Sequence, residues 1–199
     1  MFFPSKKSSL YRKGFSLIET LLVLGVIAVL LVAAFVIYPR VRDASRASTE
    51  ATNILTIQTN IRNLYNTKGE YSGLGAGKAN GTVDPGIANQ ARIFPPTMNG
   101  GNYSKTTPIT SSWGGEVWVV TRPDATTPSG FLPKGRSFGI FYGAIPSSVC
   151  VQLLPALSGQ FKSVWVGNAV ELIQSNGEMD LNSIGQACSN NPDLFLTSI

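Results

Sequence analysis

One acidic residue at the start of a long apolar run constrains this chain more than any other feature. From Leu21 to Tyr38 no side chain is charged or strongly polar, and the 24 residues from Phe15 to Tyr38 carry one charge, on Glu19. A helix of that length extends roughly 36 Å, enough to cross a hydrocarbon core of about 30 Å. A carboxylate at membrane depth costs about 2.5–3.5 kcal/mol, so it usually has a partner and a function.

The position of any cleavage decides what this segment becomes. An uncleaved signal anchor, with Glu19 reaching the interface, is one explanation, whereas a cleaved secretory signal peptide fits poorly because the run is too long. Cleavage between Gly14 and Phe15 would instead place a new amine about one helical turn from Glu19. When such helices pack side by side, the amine of one chain can meet the carboxylate of another. That pairing would offset the free-energy cost of placing both charges in an apolar environment. It would also fix the axial stagger between neighbouring helices.

At these residues the chain resembles the type IV prepilins. Lys13 and Gly14 stand before the cleavage point, Phe15 to Glu19 (FSLIE) follow it, and the apolar run comes next. The resemblance implies cleavage after Gly14 by a prepilin peptidase and N-methylation of Phe15. It also implies that an inner-membrane assembly machinery moves the subunit from the inner membrane into a homopolymeric helical filament outside the cell. Phe15 and Glu19 would then be the assembly residues.

The length suits one membrane-spanning helix and one soluble domain. Of the 199 residues, 185 remain after removal of 14, which leaves about 130 residues for a domain beyond the helix. We expect residues 1–14 to be a cleaved leader and residues 15–39 a transmembrane and filament-core helix. Residues 40–199 should form a globular head that includes the second half of the long helix.

Most of the positive charge belongs to the leader. The net charge is +5, and the leader holds four basic residues and no acid, so the mature chain is near +1 (5 − 4): the four are Lys6, Lys7, Arg12 and Lys13. The charge therefore gives no argument for nucleic-acid binding. A basic leader before an apolar helix places the N-terminus in the cytoplasm and the residues after Tyr38 across the membrane.

The residue types argue against an enzyme. The chain has two cysteines and no histidine, so it offers no Ser-His-Asp or Cys-His arrangement and no histidine metal ligand. We expect no catalytic residue, metal site or cofactor. Beyond the membrane conditions are oxidising, so Cys150 and Cys188 are predicted to form one disulfide; the alternative is two reduced, buried cysteines.

Hydrophobic periodicity predicts one long helix from Phe15 to about Thr67. Pro39 should kink it, and after Pro39 apolar residues recur every three or four positions, a stripe suited to packing on a sheet. The segment 70–112 is rich in Gly, Asn, Ser, Thr and Pro and is predicted to be a connecting loop, with a short helix at 86–92.

The rest of the chain carries signals of strands and short helices. Helices are predicted at 146–157 and 180–187 and a Pro/Gly turn region at 122–136, and the strands are predicted at 115–121, 137–142, 161–166, 170–174 and 193–199. The last strand is largely apolar, so we expect it inside the sheet. Trp113, Trp118 and Trp165 are interpreted as core aromatics rather than as a platform for a sugar.

This region is similar to the type IVb pilins, which include bundle-forming, toxin-coregulated and conjugative thin-pilus subunits. The matching residues are Leu64–Tyr65, Tyr71–Leu74 (YSGL), Trp113–Glu116 (WGGE), Val149–Val151 (VCV) and Cys188. The resemblance implies the α+β type IV pilin fold. In that fold a long N-terminal helix with a hydrophobic, protruding first half packs on an antiparallel β-sheet, beside a disulfide-bonded C-terminal region.

Three functions fit the sequence. The first is a major pilin that polymerises through its N-terminal helix, for adhesion, aggregation or conjugative contact. The second is a minor pilin or a type II secretion pseudopilin, which share the N-terminal motif. The third is a membrane-anchored binding module that never polymerises.

Overall fold

The structure is a computed structural model that describes most of the chain after residue 15. The described residues are 16–75, 77–79, 82–84, 86–122, 125–127, 130–132, 134–167, 170–171, 178–190 and 192–199. The chain divides into two compact units, Met1–Val41 and Arg42–Ile199. Helix α1 (Leu17–Tyr65) contains residues of both.

Helix α1 agrees closely with the helix expected from periodicity. It is helical through Pro39 and ends at Tyr65; the kink at Pro39 stays a prediction. Its second half buries a stripe at helical spacing, in which Ile54, Ile57 and Ile61 are fully buried. Burying such a side chain contributes about 1.5–3 kcal/mol relative to exposure, so this stripe is a major source of head stability.

The remaining elements alternate short strands with short helices. In chain order they are β1 (Gly77–Ala79), β2 (Thr82–Asp84), α2 (Pro96–Asn99), β3 (Val117–Thr121), β4 (Ala125–Thr127), β5 (Gly130–Leu132), β6 (Phe138–Tyr142), α3 (Ser147–Ala156), β7 (Ser163–Val166), β8 (Val170–Glu171), α4 (Ile184–Ala187) and β9 (Leu194–Ser198). Strands β1 and β2 pair with each other, as do β4 and β5.

The main sheet has five antiparallel strands in the order β3-β6-β9-β7-β8. The last strand of the chain therefore lies between β6 and β7, which confirms the interior position expected from its apolar sequence. Alternate residues of each strand face opposite sides. On one side the buried residues Val119, Ile140 and Leu196 join the stripe of α1 in a single core.

Two predicted helices are wrong in whole or in part. Residues 86–92 form turns rather than a helix, because the buried Asn89 side chain donates to the carbonyls of Asn102 (3.2 Å) and Ser104 (2.6 Å) and so anchors this segment to a distant loop. In the segment 180–187 only Ile184–Ala187 is helical. The side chain of Asp180 there accepts hydrogen bonds from the Asn182 backbone and the Ser183 hydroxyl, which hold a turn.

The sequence also missed two small hairpins. The β1–β2 pair falls within the expected loop 70–112, and the β4–β5 pair falls within the expected turn region 122–136. Of the strand predicted at 170–174, Val170–Glu171 is observed, and residues 172–174 lie outside the described part of the chain. Strands of two or three residues are too short for a period-two pattern to show.

Glu50 is an acid inside the stripe that packs on the sheet. Its side chain is 1% exposed. One carboxylate oxygen accepts the backbone N–H of Ser112 (2.7 Å), and the other accepts from the Asn53 amide (3.1 Å) and the Tyr142 hydroxyl (3.3 Å). Burial, and next the Glu50 charge, raise the pKa of Tyr142 well above its usual value, so the phenol remains a donor. The carboxylate thus joins α1, the 109–116 loop and β6.

Replacing Glu50 should destabilise the head. Glu50→Ala removes the carboxylate that accepts from the buried Tyr142 hydroxyl and from the Ser112 N–H, at a cost of about 3 kcal/mol. Urea unfolding of the full chain in detergent, followed by tryptophan fluorescence, measures this change. The control is Glu70→Ala at an exposed acid, and equal unfolding midpoints for the two variants would contradict the role given to Glu50.

Candidate assembly site

The first turn of α1 holds the acid that the sequence singled out. The carbonyl of Ser16 accepts the N–H groups of Glu19 (3.0 Å) and Thr20 (3.1 Å), so the helical hydrogen bonds begin there. Glu19 is exposed in this first turn, where a negative charge interacts favourably with the helix dipole. Gly14 and Phe15, the predicted cleavage and methylation residues, lie outside the described residues.

The apolar half of α1 is exposed on all sides. Leu17 is 77% and Phe35 77% exposed, and the same holds to a lesser degree for the large apolar side chains between them. Among the described residues, α1 is the one helix long and apolar enough to cross a membrane. An exposed apolar surface of this extent requires lipid or another apolar surface as its partner.

Cys150 and Cys188 form a disulfide, so the predicted pairing is confirmed. Cys150 lies on α3, Cys188 directly follows α4, and both are about 1% exposed. The bridge spans 38 residues and therefore ties α3 to the segment that contains β7, β8 and α4. Asp193, the residue before β9, connects the chain there to Ala144, because its side chain accepts the Ala144 N–H (2.8 Å).

Within the described residues, no group of three or more acidic, cysteine or histidine side chains could hold a metal ion. Both cysteines, Cys150 and Cys188, form the disulfide, so neither thiol is available as a metal ligand.

Two family descriptions match the chain. Residues 10–35 match the prokaryotic N-terminal methylation motif, and residues 44–199 match the family described as PilS N terminal. The chain belongs to the PilS family of type IV pilins. The expected family and fold, a type IV pilin of the type IVb-like group, are therefore confirmed.

A solved structure similar to this PilS-family pilin is TcpA, a type IV pilin from Vibrio cholerae El Tor biotype. The two are 13% identical, the match covers 79% of this chain and 99% of that chain, and the TM-score is 0.47. No curated protein matches the chain. The family is one of structural pilins rather than of enzymes.

The three tryptophans of this pilin differ in whether they contact the core. Trp113 packs against the core and donates its indole N–H to the carbonyl of Gly143 (3.0 Å). Trp118 and Trp165 are half-buried and lie outside the core, so the interpretation as core aromatics is wrong for these two. The alternation of β3 could have shown this, because Val117 and Val119 on either side of Trp118 face the core.

Removing the disulfide should weaken the head without abolishing the fold. The double variant Cys150→Ser, Cys188→Ser should lose about 2–4 kcal/mol of unfolding free energy, because the unfolded chain gains the freedom of an open loop. Urea unfolding with and without reductant measures the loss. Reductant should bring the wild type to the midpoint of the double variant and leave that variant unchanged, and a wild type indifferent to reductant would contradict the expectation.

Proposed function

We propose that this pilin is the major subunit of a type IVb-like filament. It is made as an inner-membrane precursor with a leader at residues 1–14. A prepilin peptidase cleaves it after Gly14, Phe15 is N-methylated, and assembly follows through the helix of residues 15–39. The head of residues 40–199 then forms the outer part of an extracellular pilus.

The observation that carries this proposal is one exposed acid at the first turn of an exposed apolar helix. No cation among the described residues lies beside Glu19. No other described residue in the first half of α1 accounts for a carboxylate in this apolar segment. In a bundle of such helices the N-terminal amine of a neighbouring subunit neutralises Glu19 and sets the stagger between subunits. Surrounding copies then cover the apolar side chains that lipid covers before assembly.

The filament serves surface contact, by adhesion, aggregation or the joining of mating cells. The match over residues 44–199 favours a pilin head over an anchored module of another family. A major subunit would be the most abundant protein of filaments sheared from the cell, and a minor pilin or pseudopilin would be scarce there or absent.

Loss of the charge at residue 19 should block assembly and spare the fold. Glu19→Ala should reduce sheared filaments by at least about tenfold, because the neighbouring amine is left unpaired in an apolar environment. Quantitative immunoblots of sheared and cell-associated fractions measure this ratio. Thr20→Ala, at the next residue, is the matched control and should assemble normally. Normal filaments from Glu19→Ala would refute the pairing.

Blocking cleavage should trap the precursor. Gly14→Asp should yield a chain that keeps its 14-residue leader, remains in the membrane fraction and forms no filaments. Mass spectrometry of the N-terminus should find methylated Phe15 in the wild type and Met1 in the variant. A wild-type chain that begins at Met1 in the membrane fraction and forms no filaments, or unchanged function in Gly14→Asp, would favour an anchored module that does not polymerise.

A further inference from the structure

The two ends of the main sheet lie at different heights along the second half of α1. At one end, called here the Tyr142 end, the Tyr142 hydroxyl donates to Glu50 of α1 (3.3 Å). At the other, the Ser198 end, the Ser198 hydroxyl accepts from Gln58 (3.1 Å) and from Arg62 (2.8 Å) of α1. The helix rises by roughly 18 Å between Glu50 and Arg62. The strands therefore run along α1, and each end of the sheet points along the helix axis.

The Ser198 end of the sheet collects positive charge. Beyond the last paired residues, the N–H of Arg122 donates to the carbonyl of Ser137 (2.9 Å), and the N–H of Lys162 donates to the carbonyl of Thr197 (2.8 Å). These bonds extend the ladders and place the residues beside β3, β6 and β7 next to one another. The basic residues that gather here come from four elements or their flanks and are Arg62, Arg122, Lys134, Arg136 and Lys162.

Two of these side chains are exposed on a segment whose backbone is held. Lys134 and Arg136 are exposed, and Gly135 between them donates to the Arg122 carbonyl (3.2 Å) and accepts from the Tyr71 N–H (2.6 Å). The acid beside this segment is Glu70, whose Oε2 would lie 3.8 Å from a Cβ added to Gly135. One acid against five basic residues leaves this end positive.

The Tyr142 end of the sheet carries acids instead. Glu116 stands before β3 and Asp193 before β9, and the two flank the turn after β6. The Glu116 carbonyl accepts the Gly143 N–H (2.8 Å), and the Asp193 side chain accepts the Ala144 N–H (2.8 Å). The described residues at these strand ends, 113–116, 143–147, 167 and 192–193, include no lysine or arginine. The strand ends here are therefore negative.

The helix side of the Tyr142 end has a different charge pattern. Asp43 lies there on α1 between Arg42 and Arg46 and accepts the Ser148 hydroxyl (2.6 Å). One acid between two arginines does not make the helix side negative. A cationic partner is therefore attracted to the strand ends, at Glu116 and Asp193, and not to α1.

Opposite charges at opposite ends suit a contact between identical heads. In the proposed filament the α1 helices lie side by side with an axial stagger, so all heads point the same way. The Ser198 end of one head then faces the Tyr142 end of a head further along the filament. Such a contact joins two different surfaces and repeats without closing, as a filament requires. An external polyanion would account for the basic end and leave the acidic end unexplained.

We propose that the Ser198 end of each head docks on the Tyr142 end of a second copy of this chain. Lys134 and Arg136 of one head face Glu116 and Asp193 of the next. The inference rests on the proposed filament function and adds a contact between heads to the pairing of Glu19 between helices. Exposed ion pairs are individually weak, so this contact selects the direction and stagger of neighbours more than it strengthens their association.

Cross-linking of sheared filaments tests this contact directly. Both native cysteines are in the disulfide, so introduced cysteines supply the free thiols. The double variant Arg136→Cys, Glu116→Cys should give a ladder of dimers, trimers and longer species with a short bismaleimide. Each single variant should give none, because the contact joins two different surfaces. The control pair is Arg92→Cys, Glu116→Cys, with Arg92 in the turns at 86–92, and it should also give no ladder.

Charge reversal tests the electrostatic part of the contact. Lys134→Glu, Arg136→Glu should reduce sheared filaments by about tenfold, because like charges then face each other. Adding Glu116→Lys to that variant should restore most of the yield. Arg92→Glu, Lys105→Glu makes the same change in net charge away from the strand ends and should assemble like the wild type. Near-ultraviolet circular dichroism of each purified chain verifies the fold.

The outcomes separate this contact from the filament itself. A wild type that forms no filaments would overturn the proposed function and this contact with it. Normal filaments from Lys134→Glu, Arg136→Glu, or filaments of the double cysteine variant without a ladder, would overturn the contact alone. If the charge-reversal variant kept its filaments but lost heparin binding that wild-type filaments show, the basic end would belong to an external polyanion and the proposal would be wrong.

Discussion

The contact between the second half of α1 and the five-stranded sheet is the constraint on which the head depends. A stripe of isoleucines supplies the apolar area, and polar residues set in that stripe fix how the helix meets the sheet. Gln58, for example, donates to the carbonyl of Gln160 (2.9 Å) and to the Ser198 hydroxyl (3.1 Å). Because buried polar groups must find their partners, these bonds select one register of helix on sheet.

The same helix meets a different requirement in its first half. There the side chains are apolar in every direction and exposed, so no single face is favoured and partners can approach from any side. Lipid satisfies such a surface, and so do other helices of the same kind. The methylation motif at residues 10–35 belongs to this half, and the family match at residues 44–199 belongs to the head. The two halves of one helix are thus built for different surroundings.

Sequence patterns predicted the parts of the fold that follow from local periodicity. The stripe of α1, the strand at β3 and the interior position of β9 all depend on repeated apolar spacing, which the sequence displays directly. The turns at 86–92 depend instead on hydrogen bonds from the Asn89 side chain to the carbonyls of Asn102 and Ser104. Local helix propensity does not reveal such bonds. The candidate assembly site could be predicted in part by the same reasoning, because Glu19 is the one charge in an apolar segment. The burial of Glu50 could not be predicted in this way, because its donors Ser112 and Tyr142 lie far along the chain.

The placement of β9 has a consequence for the order in which the protein can acquire its structure. Strand β9 follows the other strands of this sheet in the chain, yet it lies in the interior of the sheet, between β6 and β7. Strands β6 and β7 therefore have no common neighbour until β9 has been added. Pairing between segments that are far apart in sequence is intrinsically slow. A head that still lacks β9 exposes two open strand edges, and such a species is prone to aggregation.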